Sequence, residues 1–395
     1  MKRAVARAAI VPNVPAKRLE KHVDAADLRE KIVDAWSVFN TAVKAGDKEK
    51  IRDLHLDAKK HDQGIDKHNL LRLLKKHEAS FKHGKDIVPE NIKPSLRLVT
   101  PRSKWEEIFK VCRGYWSMPY SKGYGRRLRF VVYDEHHKSV IGIIGLQSPP
   151  ADLACRDELF KYPSGKKLEV VNSMLDAYTI GAIPPYSNLL GGKLVASLLV
   201  SDEIRQAYWK VYAKRKTLIE GKRLQQPLVA ITTGSAFGRS SIYNRLKYKD
   251  RFLAEPIGYT KGFGMIHLES IYPDIATWLT QEGLFIKGGY GNGPKVRWQN
   301  TTIALQKLGL DDMLRVHGLR REIFLFRHVK NLTEVCNEGA IPDPILCSTG
   351  ELVNHWLKRW AMPRSLKDKS WQTMDSALLL RQALHSFNSL ERGNS

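Results

Sequence analysis

Apolar residues return at helical spacing through the first part of the chain. Leu28, Ile32, Trp36, Phe39 and Val43 follow an acidic start at Asp24 or Asp27 and precede Gly46, the signature of an amphipathic helix with a capped start and a glycine stop. Ile51, Leu54 and Ala58 repeat the pattern before Gly64, and Leu70, Leu71, Leu73, Leu74 and Phe81 repeat it before Gly84. Residues 1–84 therefore read as a basic N-terminal region holding three helices in a small bundle. Pro89, Pro94 and Pro101 follow. Each disfavours helix at the residue before it, so 85–104 reads as a linker.

Beyond the linker the pattern alternates between strand and helix. Residues 129–133 (RFVVY) and 139–146 (SVIGIIGL) flank the turn DEHHK, which predicts a hairpin with His136 and His137 at a solvated tip. An extended stretch over 170–183 ends at Pro184-Pro185. A helix over 189–200 and a long basic one over 202–220 come next. A strand over 227–233, a short helix over 240–247 and a glycine-rich strand region over 257–268 complete the series, and the pattern after about Pro273 is mostly helical. The fold class is α+β, with a mixed sheet in a core at 105–335 and a helical C-terminal segment at 336–395.

Charge changes this picture. The 395 residues carry 65 Lys or Arg against 41 Asp or Glu, a formal +24 spread along the chain. A balance of that size predicts affinity for polyanions, nucleic acid first. No apolar run is long enough to span a bilayer. The stretch 8–14 behind the basic start is too short and too proline-broken for a secretory core, so a cytoplasmic protein is expected. The four cysteines are far apart, with no C-x-x-C pair. That spacing suits buried reduced thiols better than disulfides, and no metal site is expected.

Three segments stand out: WSMPYSKGYGRR at 116–127, AIPPYSNLLGGKLVA at 182–196 and TTGSAFGRSSIYNRL at 232–246. In order and spacing they resemble the signature blocks of the Druantia protein DruA family over roughly 105–335. The resemblance implies a role in anti-phage defence, alongside other Druantia subunits that include a helicase-like protein. The chemistry stays open.

The order of elements in the core is also similar to the GNAT acyltransferase fold. That likeness implies acetyl-CoA or another acyl-CoA, held by the loop Tyr186, Asn188, Gly191, Gly192 and Lys193 at a helix start, where backbone N–H groups favour an anion. Lys193 stands where that fold expects a small residue, and a tight turn with close helix packing is the alternative. Tyr243 occupies the place of a phenolic acid, with a core tyrosine as the alternative. Ser235, Arg239 and Ser240 gather hydroxyls and a guanidinium that suit phosphate or, more simply, a helix cap.

Aromatics and cations interleave over 204–220 (IRQAYWKVYAKRKTLIE), with Lys210, Lys214 and Arg215 beside Tyr208, Trp209 and Tyr212. Such a helix either contacts single-stranded nucleic acid or packs its aromatics inward. Arg126, Arg127, Arg315, His317, Arg320 and Arg321 complete the nucleic-acid candidates. Asp176, an isolated carboxylate in the extended stretch, does not make a two-metal site by itself. The reading is therefore a nucleic-acid-binding defence subunit, with an acyltransferase that modifies a base or nucleotide as the alternative.

Overall fold

The computed structural model describes residues 22–61, 66–118, 123–217, 221–223, 227–236, 240–261, 267–288, 296–310 and 319–386. Among the described residues three helices come first, α1 (Ala25–Ala45), α2 (Lys48–Lys60) and α3 (Lys67–Lys76). Each has an aspartate cap. Asp24 accepts from the amides of Ala26 and Asp27, Asp47 from Lys50 and Asp66 from Asn69. Gly46 ends α1 at φ 66°, a left-handed position that glycine adopts without strain.

The expected three-helix bundle does not form. α1 and α2 pack Leu28, Ile32, Phe39, Ala42 and Ile51 against Ile275, Trp278, Leu279, Ala304 and Leu305. Those partners lie on helices well over 200 residues later in the chain. α3 instead joins α4 (Lys104–Arg113) and the last helix through Leu70, Leu73, Leu74, Ile108, Leu380 and Leu384. A helical stripe states that an apolar face needs cover, and says nothing of which element supplies it.

The linker reading is also corrected. β1 (Pro94–Leu98) lies inside 85–104 and forms the edge of the sheet, paired antiparallel with β2 (Leu128–Asp134). Its proline is the first strand residue, a place where the missing N–H costs little. β2 turns into β3 (Ser139–Gln147), the expected hairpin. The turn is not solvated throughout. Asp134 is fully buried, and its Oδ2 meets His137 Nδ1 at 2.6 Å and accepts the Tyr186 hydroxyl at 2.9 Å. His136 alone of the two histidines faces solvent.

Short helices α5 (Ala154–Asp157) and α6 (Lys167–Val171) precede β4 (Met174–Ala182). Then come α7 (Gly191–Ser197), α8 (Asp202–Tyr212) and β5 (Ala230–Gly234). α8 ends well short of 220. Residues 241–245 form turns, not the expected helix, and lead into the small hairpin β6 (Lys247–Tyr248) and β7 (Arg251–Phe252). β8 (Glu255–Tyr259), α9 (Tyr272–Gln281) and α10 (Val296–Lys307) follow.

β9 (Glu322–Arg327) interrupts the stretch expected to be helical. Five of its six residues are buried, so its apolar run carries no alternation to mark a strand. The C-terminal part holds α11 (Leu332–Glu338), α12 (Thr349–Trp356), α13 (Met362–Lys367) and α14 (Ser376–His385).

The seven-stranded sheet runs β1-β2-β3-β4-β5-β9-β8. β4 and β5 are its parallel pair; the other neighbours are antiparallel. Their register covers Met174↔Ala230, Leu175↔Ile231 and Asp176↔Thr232 and stops there, although β4 continues to Ala182. The two strands thus part just beyond Asp176. One face of the sheet is covered by α7, α8 and α12 through Leu194, Tyr208 and Trp356, the other by α3, α4 and α14.

Candidate functional site

The loop after β4 winds tightly into α7. Gly191 donates its amide to Tyr186 O at 2.8 Å and Lys193 donates to Leu190 O at 2.9 Å, with Leu190 at φ 58°. A Cβ on Gly191 would lie 2.6 Å from Tyr186 O, so the close approach requires glycine; one on Gly192 would touch Ile242 at 3.4 Å. Tyr186 is fully buried and tied to Asp134. Lys193 points inward, its Nζ donating to the carbonyls of Ser241, Ile242 and Asn244 at 2.9 to 3.4 Å. Burial, then Arg245 and Arg359, lower its pKa.

The C-terminal segment closes over the same loop. Trp356 Nε1 donates to Leu190 O at 3.1 Å, Arg364 Nε to Asn188 O at 3.3 Å, and Asn188 Nδ2 to Ser370 Oγ at 3.5 Å. The Gly191 and Lys193 amides and the lysine ammonium are thus taken up within the protein. These three donors are therefore not free for the phosphates of an acyl-CoA.

The third signature block is equally structural in its contacts. Ser235 donates its amide to Glu322 O at 2.8 Å, and its Oγ accepts the Glu322 amide at 3.0 Å, pinning β5 to β9. Ser240 Oγ accepts the Ile242 amide at 3.3 Å. Tyr243 packs its ring against Phe324 and Phe326 with centroids 4.8 and 6.1 Å away. Burial pushes its phenol up to about 12, against a hydrogen bond with Thr233. Arg239, Arg315 and His317 lie outside the described residues.

The cationic candidates separate by exposure. Arg126 is drawn inward, donating to Tyr208 OH at 2.6 Å and toward the Asn172 and Met174 carbonyls. Tyr208 and Tyr212 pack in the core, so α8 keeps its aromatics inside except Trp209. Arg321 is partly buried near His55, and burial lowers its pKa. Arg320 is exposed, over the Tyr259 ring at 5.5 Å. Arg127, Lys210, Lys214 and Arg215 are exposed. Tyr212 joins two of them, since its hydroxyl donates to Arg127 O at 2.7 Å and Arg215 lies 5.5 Å over its ring. These four make no ion pair among the described residues, in contrast to Arg97, Arg156 and Arg327.

Sequence reasoning missed a second polar constellation. Where β4 and β5 part, Asp176 accepts from Thr232 Oγ1 at 3.0 Å and Gln147 Nε2 at 3.1 Å. Burial raises its pKa, opposed by the Thr232 and Gln147 hydrogen bonds and the Arg156 charge. The signal was present as a lone acid in an apolar strand; its partners come from β3 and β5.

Fold and site together define a basic α+β protein. It is built on a mixed seven-stranded sheet, with an exposed cationic patch at the end of α8 and a polar cluster where the parallel strands part. Comparison with known proteins names the class. The family model "Druantia protein DruA" matches residues 45–338. The chain is also similar to the Druantia protein DruA of Escherichia coli (strain UMEA 4076-1), at 37% identity over 303 residues, 75% of this chain and 75% of the relative. No solved structure matches. The chain belongs to the Druantia protein DruA family, and it is thereby a component of a Druantia anti-phage defence system. Among the described residues no helix is long and apolar enough to cross a membrane.

Proposed function

We propose that this chain recognises nucleic acid for the defence system, acting in the cytoplasm with partner subunits that include a helicase-like protein. The observation that carries the reading is the patch of Arg127, Lys210, Lys214 and Arg215, four exposed cations without ion-pair partners among the described residues, on a chain of net charge +24. Unpaired surface cations can neutralise phosphates and release the counterions condensed on the nucleic acid, so affinity gained this way falls with salt. Trp209, 38% exposed beside Lys210, offers a ring on which an unpaired base can stack.

An anisotropy titration of the full chain with labelled oligonucleotides between about 50 and 200 mM salt tests the reading. Binding is expected to weaken steeply over that range. The triple variant Lys210→Glu, Lys214→Glu, Arg215→Glu should lower the salt slope by about 3, one for each phosphate contact removed. These side chains are exposed, so its melting temperature should stay near that of the unaltered protein. Equal affinity and slope in the variant would remove the patch from the interface.

A GNAT-like acyltransferase acting on a base or nucleotide is the second reading. The order of the sheet, and the parting of β4 from β5 ahead of a glycine-led helix, favour it. The engaged donors of the loop oppose it. Whether purified protein retains or binds coenzyme A separates the two.

A further inference from the structure

Three strands and one loop meet at Asp176. Leu146, Leu175 and Ile231 belong to the core under α7 and α8, so strand alternation places their neighbours Gln147, Asp176 and Thr232 on the opposite face. Asp176 Oδ1 accepts from Thr232 and Oδ2 from Gln147, while Gln147 Oε1 accepts the Tyr124 amide at 3.2 Å. Thr232 is fully buried and Gln147 nearly so, and Asp176 is mostly covered but keeps some exposure. A carboxylate has about four lone-pair directions. Each oxygen therefore has an acceptor direction that these two bonds do not use, and a ligand with two adjacent donors can take one on each oxygen.

The surroundings restrict what such a ligand is. Arg156 is fully buried, held by Asp157 and the carbonyls of Pro150 and Ala151, and its charge acts on both Asp176 and Tyr124. Arg156, paired with Asp157, already offsets part of the negative charge around Asp176, so a neutral ligand needs no further counter-charge. Neutral paired donors are well matched. Tyr124 is 48% exposed, and its backbone amide sits on the same Gln147 side chain that holds Asp176. An exposed ring beside a double acceptor suits a flat heterocycle with two adjacent N–H donors.

Among the common bases only guanine has that edge, its N1–H beside its N2 amino group. We propose that Asp176 receives the N1–H and N2–H edge of an unpaired guanine, that Gln147 and Thr232 are its positioning residues, and that Tyr124 forms the stacking wall. This site rests on the nucleic-acid reading above and adds base selectivity to it.

The test uses the full chain and short unstructured oligo-dT strands carrying one central guanine, hypoxanthine or adenine. Hypoxanthine keeps N1–H and lacks the N2 amino group. Guanine is expected to bind about tenfold more tightly than either, the lower range for a bidentate base contact. Asp176→Asn, which offers one acceptor and one donor, should erase that preference while leaving binding of plain oligo-dT in place. Tyr124→Leu, at an exposed position, should weaken all guanine strands and serves as the second variant if Asp176→Asn fails to fold. Tight binding of all three strands with equal affinity would overturn the guanine site and leave the nucleic-acid reading standing. A guanine preference that survives in Asp176→Asn would also overturn it. No binding of any strand at low salt would overturn both.

Discussion

Gly191→Ala is expected to damage the protein almost as severely as Gly191→Glu, with soluble yield and melting temperature falling together. The reason is steric. An added Cβ would sit 2.6 Å from the Tyr186 carbonyl oxygen and 3.1 Å from the Ala182 Cβ, inside a turn whose backbone is held by the Gly191 amide. Tyr186 is anchored by Asp134 and Leu190 O by Trp356, so neither side of the contact can retreat. Overpacking of this kind costs on the order of 3 kcal/mol, a large share of the stability of an ordinary domain. The alternative, a loop that binds phosphate, makes a different prediction: alanine would be tolerated and only the glutamate would fail, by charge repulsion. Thermal melts of the two variants, read beside plaque counts in cells carrying the whole defence locus, decide between them. A normally stable Gly191→Ala would overturn the steric account.

Acid is the second large lever. Burial first, then His267 and Arg321, hold the His55 ring down to about 3. Burial, then Arg205 and Arg251, hold His328 down to about 3 as well. A histidine with a lowered folded pKa resists a proton that the unfolded chain accepts near 6.5. The resulting penalty is absent above about pH 6.5 and grows as pH falls toward about 3. Each ring contributes at most about 1.4 kcal/mol per pH unit, so the two together remove roughly 3 kcal/mol by one unit below 6.5. Urea midpoints measured from pH 7.5 down to about 5 should fall accordingly. His328→Phe should halve the slope. A midpoint that does not move across this range would show that the rings protonate in place.

These two histidines also mark what the chain could and could not disclose. His55 sits on α2 and touches His267, which precedes α9, with ring centroids 4.6 Å apart. Local spacing made α1 and α2 legible as helices, down to the Asp24 cap and the Gly46 stop. Their partners α9 and α10 could not be read, because apolar periodicity reports a face to be covered and carries no address for the cover. The same limit explains α3, which left its neighbours in sequence for α4 and α14.

The candidate site divides along the same line. The blocks at 182–196 and 232–246 were visible as glycine-rich and hydroxyl-rich turns, and their family resemblance held. Whether Lys193 faces a ligand or the protein depended on the carbonyls of 241–244, some 50 residues on, and on the indole of Trp356. Asp176 was conspicuous as an acid in an apolar strand. Its meaning required Gln147 from β3 and Thr232 from β5.

By itself, then, the sequence determined the net charge, the hairpin of β2 and β3, the capped helices and the family, since each of these is a property of residues close together in the chain or of their sum. Tertiary structure alone decided that β9 inserts between β5 and the edge strand β8, that β4 and β5 part at Asp176, and that the C-terminal helices close over the loop before α7. Those outcomes depend on long-range pairing, where the burial of apolar area and the satisfaction of buried polar groups are settled jointly by segments that local spacing cannot relate.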